Sequence, residues 1–113
     1  IPSQIGTQSD YLIHQKGIYR HMEIVFSWND YWARTNSWDL RDSKFKKLTQ
    51  AGSEALCLGI ETPGLKSFLI DMKLHSNQFK FRSNPAWGNK SAYTFSGIRD
   101  ELTEIKNSFS KLL

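Results

Sequence analysis

Cysteine is nearly absent. Cys57 stands alone in 113 residues, so the chain cannot close a disulfide on itself or build a thiolate metal cluster. Such usage favours an intracellular setting, in a compartment composition does not specify. Long apolar runs are missing too; none approaches the ~20 residues that cross a bilayer, and we expect no membrane association. His14, His21 and His75 fall in separate segments with no HxH or HxxxH spacing, so surface histidines are expected and no metal site. No serine sits in a nucleophile elbow, and no glycine-rich loop offers itself to phosphates. These absences weigh against an enzyme and against any cofactor.

What is present is globular. Hydrophobic residues make up 39% and charged residues 23%, and the length suits one domain spanning 1–113. The start at Ile1-Pro2-Ser3 points to a domain excised from a larger protein or to a processed product, with other domains or subunits as partners. Fifteen basic against eleven acidic residues give +4, which favours an anionic partner such as DNA or RNA. Four Trp, four Tyr and seven Phe are a heavy aromatic load. They either fill a small core or supply stacking platforms for bases.

Along the chain, residues 1–9 are polar and aperiodic, and we expect a loose arm. Tyr11-Leu12-Ile13 reads as a short strand. From Ile18 to Trp28 a longer one follows, with Met22, Ile24, Phe26 and Trp28 alternating with His21, Glu23, Val25 and Ser27. Asn29 to Asn36 is either one helical turn capped by Asn29 or Asp30, or a wide loop. Trp38 and Leu40 alternate with Asp39 and Arg41 as a strand. A short lysine-rich helix is expected near residues 43–51, stopped by Gly52.

The best-defined unit is residues 54–113, which read as ββββα. Leu56, Leu58 and Ile60 alternate in one strand; Phe68, Ile70, Met72 and Leu74 alternate in the next. Thr62-Pro63-Gly64-Leu65 has the chemistry of a type II turn. A two-residue loop there pairs Asp71 with Leu56 and sets the apolar residues on opposite faces. Matching the apolar sets instead pairs Met72 with Leu56, so we expect that register, with a bulge or three-residue loop near Leu65. Ser76-Asn77 would then turn the chain so that Lys73 pairs with Lys80 and Asp71 with Arg82. Ala92 to Phe95 forms a last strand. Ser96 caps a helix whose Ile98, Leu102, Ile105, Phe109 and Leu112 make one stripe. The fold expected is α+β: an antiparallel β-sheet with this C-terminal amphipathic helix packed on one face.

Asp71-Met72-Lys73 resembles half of the PD-(D/E)XK nuclease signature, which implies a divalent metal held with an earlier acid. The obvious earlier acid, Glu61, lies about 13 Å away along the expected register, and an ion pair between Asp71 and Arg82 explains Asp71 without a metal. A binding surface is better supported. Lys73, Lys80 and Arg82 share one sheet face, Trp87 and Lys90 lie in the next loop, and Tyr31, Trp32, Arg34 and Trp38 occupy an irregular segment that demands no aromatics. Cations track phosphates while exposed rings stack on bases. The order of strands followed by a helix, read twice, is similar to the sheet modules of PUR-repeat and Whirly-type single-strand binders, without a shared residue motif. The expectation is a non-catalytic nucleic-acid-binding domain, reading a flipped or unpaired base among its options. The alternatives are a protein-interaction or scaffold domain with Trp anchors, and a metal-dependent nuclease using Asp71 and Lys73.

Overall fold

The computed structural model describes residues 11–50 and 54–112. Both the expected arm at 1–9 and the stop at Gly52 fall outside them. In chain order the elements are β1 (Tyr11–Gln15), β2 (Ile18–Ser27), α1 (Tyr31–Thr35), β3 (Ser37–Arg41), α2 (Asp42–Leu48) and β4 (Leu56–Glu61). Then come β5 (Lys66–Asp71), α3 (Met72–His75), β6 (Phe79–Asn84), β7 (Lys90–Ser96), β8 (Thr103–Glu104) and α4 (Ile105–Ser110). The fold is mixed α+β, with two sheets and four short helices among the described residues.

The strands do not form one antiparallel sheet. The first sheet runs β1-β2-β4-β5-β8 and the second β3-β7-β6. Lys16 and Gly17, both at positive φ, close the β1–β2 hairpin with the backbone of a tight primed turn. β2 then pairs with β4 in parallel, Met22 opposite Leu56 and Phe26 opposite Ile60. Parallel neighbours need a long crossover, and this one carries α1, β3 and α2. The sequence between the two long strands is therefore what seeds the second sheet.

The β4–β5 register follows the turn and not the apolar match. Leu56 faces Asp71, Leu58 faces Leu69, and Gly59 faces Phe68. The loop is a 3-10 turn over Thr62–Gly64, in which Leu65, not Gly64, takes the left-handed conformation. A one-residue slip looked necessary only if one face of this sheet met solvent. Both faces carry core. Met22, Leu56 and Leu58 lie buried on one side. On the other, Ala55, Cys57, Phe68, Ile70 and Met72 pack with Trp32, Trp38, Leu40, Phe79 and Phe95 from the second sheet and its flanks. Ala55, Cys57 and Gly59 are small because large rings stand over them. A Cβ on Gly59 would lie 2.2 Å from the Phe68 ring.

Residues 72–75 are helical, so the strand expected through Leu74 ends at Asp71. The Asp71 carboxylate accepts a hydrogen bond from the Lys73 N–H at 3.0 Å, capping the turn. Met72 is swung into the core and Leu74 out to solvent. β6 thus leaves β5 altogether and pairs with β7. The expected pairings of Lys73 with Lys80 and of Asp71 with Arg82 are not made. Asp71 instead meets Arg20 at 2.8 Å.

The expected helix from Ile98 to Leu112 is broken in two. Gly97 at positive φ enters a 3-10 turn over Ile98–Asp100, and Thr103–Glu104 pair with Lys66 and Ser67 as β8. This covers the free edge of β5 and sets Glu104 opposite Lys66. Only Ile105–Ser110 remain helical, and the fully buried Ser108 hydroxyl lies 2.8 Å from that of Ser67.

Two glutamates are buried among the described residues, Glu23 and Glu61. Glu23 on β2 is buried beside Cys57 and meets Lys44 of α2 at 2.9 Å, tying that helix to the first sheet. Burial pushes the Cys57 thiol far above its ordinary pKa; the Glu23 charge adds to the rise and Lys44 opposes it. Cys57 behaves as a small apolar filler.

Candidate nucleic-acid interface

The second sheet has one greasy face and one polar face. Trp38 and Leu40 of β3, Tyr93 and Phe95 of β7, and Phe79 of β6 turn toward the core. By strand alternation the opposite face carries Asp39 and Arg41, then Lys90, Ala92 and Thr94, then Lys80, Arg82 and Asn84. Registers align Lys80 with Thr94 and Asp39, and Arg82 with Ala92 and Arg41. Four cations thus share this face with one carboxylate.

That carboxylate is the face's anchor. Asp39, its side chain 7% exposed, accepts hydrogen bonds from the Arg82 guanidinium at 2.5 Å, the Asn84 amide at 2.7 Å and the Thr94 hydroxyl at 2.7 Å. Arg82 also donates to Thr94 at 2.8 Å. The bond to Asp39 raises the Arg82 pKa above its ordinary value; burial pulls the other way, while the Asp39 charge and the Tyr31 side chain add to the rise. Lys80 and Lys90 are exposed and stand outside this network.

Helix α1 and the β6–β7 turn each present an aromatic ring with a guanidinium over it. Arg34 lies 5.5 Å from the Tyr31 ring and Arg41 lies 5.3 Å from the Trp87 ring. Helix α1 is held from three sides. The Asn29 carboxamide accepts from the Tyr31 N–H, buried Glu61 accepts from the Ala33 N–H, and Arg99 donates to the Ala33 carbonyl. These bonds satisfy backbone groups that a short helix leaves open at its ends. Trp87 sits in a 3-10 turn whose Asn84 side chain accepts from the Ala86 N–H, with Gly88 and Asn89 left-handed behind it.

Of the nine residues picked from sequence, six gather on or beside this face: Tyr31, Arg34, Lys80, Arg82, Trp87 and Lys90. Three do not. Trp32 and Trp38 are buried against Phe68; they fill the space left by Ala55, Cys57 and Gly59. Lys73 lies with the first sheet, 3.1 Å from Glu54. Arg41, Asp39 and Thr94 were missed. The alternation of Asp39 and Arg41 with Trp38 and Leu40 was the available signal for the first two.

A concavity of about 610 Å³ opens elsewhere, on the first sheet over Leu56 and Leu69, rimmed by Arg20, Asp71, Lys73 and Glu54. Asp71 is opposite Leu56 there, while Glu61 is five strand positions further on, about 16 Å away. One ion cannot bridge them. Among the described residues no three His, Cys, Asp or Glu side chains come within metal-binding range of one another. No described helix is long and apolar enough to cross a membrane. No family model, curated protein or solved structure matches the chain.

Proposed function

We propose that the chain is a nucleic-acid-binding domain that works without catalysis through the outer face of its β3-β7-β6 sheet. The observation that carries this is the row structure of Arg41, Lys80, Arg82 and Lys90 on one face, whose single carboxylate is already spent on three donors. Cations in rows meet phosphates, and Tyr31 and Trp87 at the margins offer rings to bases. Arg82 has a double role, since Asp39 depends on it; Lys80 and Lys90 are the cleaner phosphate partners.

The test is fluorescence anisotropy with a labelled oligonucleotide across a salt series. Binding should weaken steeply with salt, and Lys80→Ala and Lys90→Ala should each flatten the log–log slope by about 0.7 to 0.9. No binding at low salt overturns the proposal.

A second reading has its own observation. Trp28 is 80% exposed and stacks on Phe26, itself 53% exposed, at the end of β2 on the first sheet. An exposed pair of this kind suits a protein interface, and it supports an interaction or scaffold domain with the first sheet as the contact. Loss of partner binding in Trp28→Ala, with nucleic-acid binding absent, would favour that reading.

A further inference from the structure

We propose that the outer face of the β3-β7-β6 sheet takes single strands in preference to duplex, with one base stacked on Trp87 in the place the Arg41 guanidinium holds. This rests on the nucleic-acid reading of the same face and deepens it. The deciding feature is the kind of surface the aromatics offer. In a duplex the flat faces of the bases are stacked inside and only their edges are exposed. A single strand presents a free face at every base.

On this sheet each flanking ring already holds a planar cation over its face. The six-membered run from Asn84 to Asn89 is locked by its own hydrogen bonds. Asn84 accepts from Ala86, its carbonyl accepts from the Asn89 N–H at 2.9 Å, and its amide donates to Asp39. Trp87 is therefore held on a rigid turn at the sheet's edge, pre-organised for a flat partner. Its ring is not bare in the free protein: Arg41, from the neighbouring strand row, lies over it at 5.3 Å. A base on an indole is held more firmly than an exposed guanidinium, so a base displaces Arg41 and frees it for the adjoining phosphate. Tyr31 and Arg34 repeat the arrangement at 5.5 Å, offering a second stacking position. Lys80 and Arg82, on the same side of β6, are there for the backbone.

The experiment compares one oligonucleotide of about 12 nucleotides as single strand and as duplex, by anisotropy at low salt, with wild type, Trp87→Ala and Trp87→Phe. The single strand should bind about tenfold tighter than the duplex. Trp87→Ala should cost the single strand about tenfold and leave the duplex nearly unchanged, while Trp87→Phe retains most of the affinity. Circular dichroism of each variant separates a lost stack from a lost fold. Equal or tighter binding of duplex overturns the inference while leaving the nucleic-acid reading intact, and so does unchanged single-strand affinity in folded Trp87→Ala. If neither form binds, both fail.

Discussion

Replacing Gly59 with alanine tests the arrangement that puts the second sheet where it is. A Cβ at this position would sit 2.2 Å from two atoms of the Phe68 ring and 2.9 Å from a third. Ordinary contact requires a shift of about 1 Å. The ring has nowhere to go: it is fully buried, with Trp32 at 5.2 Å and Trp38 at 4.8 Å between centroids. Overpacking of this kind costs about 3 kcal/mol at the upper end of its usual range. Removing a strand glycine returns about 0.5–1 kcal/mol of backbone entropy. The net expectation is a loss of about 2 kcal/mol, or about 10 °C in Tm for a domain of this size. Urea unfolding followed by tryptophan fluorescence and circular dichroism measures it. In a Phe68→Leu background the same substitution should cost at least about 1 kcal/mol less, because the smaller side chain leaves room. If the two changes add to within about 0.5 kcal/mol, Gly59 does not face Phe68. The register that sets Ile60 against Phe68 would then be the true one.

Two further outcomes follow from the interior. Cys57 should resist alkylation in the folded protein and react on unfolding. Because its pKa is raised in the fold from an ordinary 9.0, the folded state holds a proton the unfolded state has released at alkaline pH. Stability present below pH 9 is thus lost as pH rises above it, by up to about 1.4 kcal/mol per pH unit; chemical denaturation should show a shallower alkaline limb in Cys57→Ala, and equal limbs would contradict the burial. Asp39→Ala should cost about 2 kcal/mol by leaving the buried Asn84 amide and Thr94 hydroxyl without their acceptor, whereas Lys90→Ala should change thermal stability by less than about 0.5 kcal/mol. Comparable losses in the two would mean that Asp39 is no anchor.

Much of this was legible in sequence, and the failures share a cause. Period-two patterns locate β2, β3, β4 and the start of β5, and the segment after Asn29 does form a helical turn, with Asp30 at its N-cap and the Asn29 side chain accepting from the Tyr31 N–H. The errors came from assuming that one face of each strand meets water. With apolar side chains buried on both faces of β4, apolar matching no longer chooses a register, and the turn chemistry at Pro63 does. Three small residues in alternation, Ala55, Cys57 and Gly59, call for large rings from another layer. Those rings include Trp32 and Trp38, which for that reason are unavailable to a ligand. Asp71 was treated as a strand residue, but an aspartate followed by Met72 and Lys73 can cap a helical turn, and it does. Lys80 and Arg82 still share one side of β6, without Lys73, because they alternate on a strand whichever sheet that strand joins. Arg41 escaped notice because its role needs the pairing of β3 with β7, a contact between segments about fifty residues apart.

The central claim is that nucleic acid lies on the outer face of the β3-β7-β6 sheet. The most direct measurement is an amide-resolved NMR titration with a short single-stranded oligonucleotide. Shifts should concentrate at Lys80, Arg82, Trp87, Lys90, Ala92 and Arg41, with Tyr31 following and the first sheet, from Met22 to Leu58, left in place. Shifts centred instead on Arg20, Asp71 and Lys73 would contradict it, because those residues line the concavity of the other sheet.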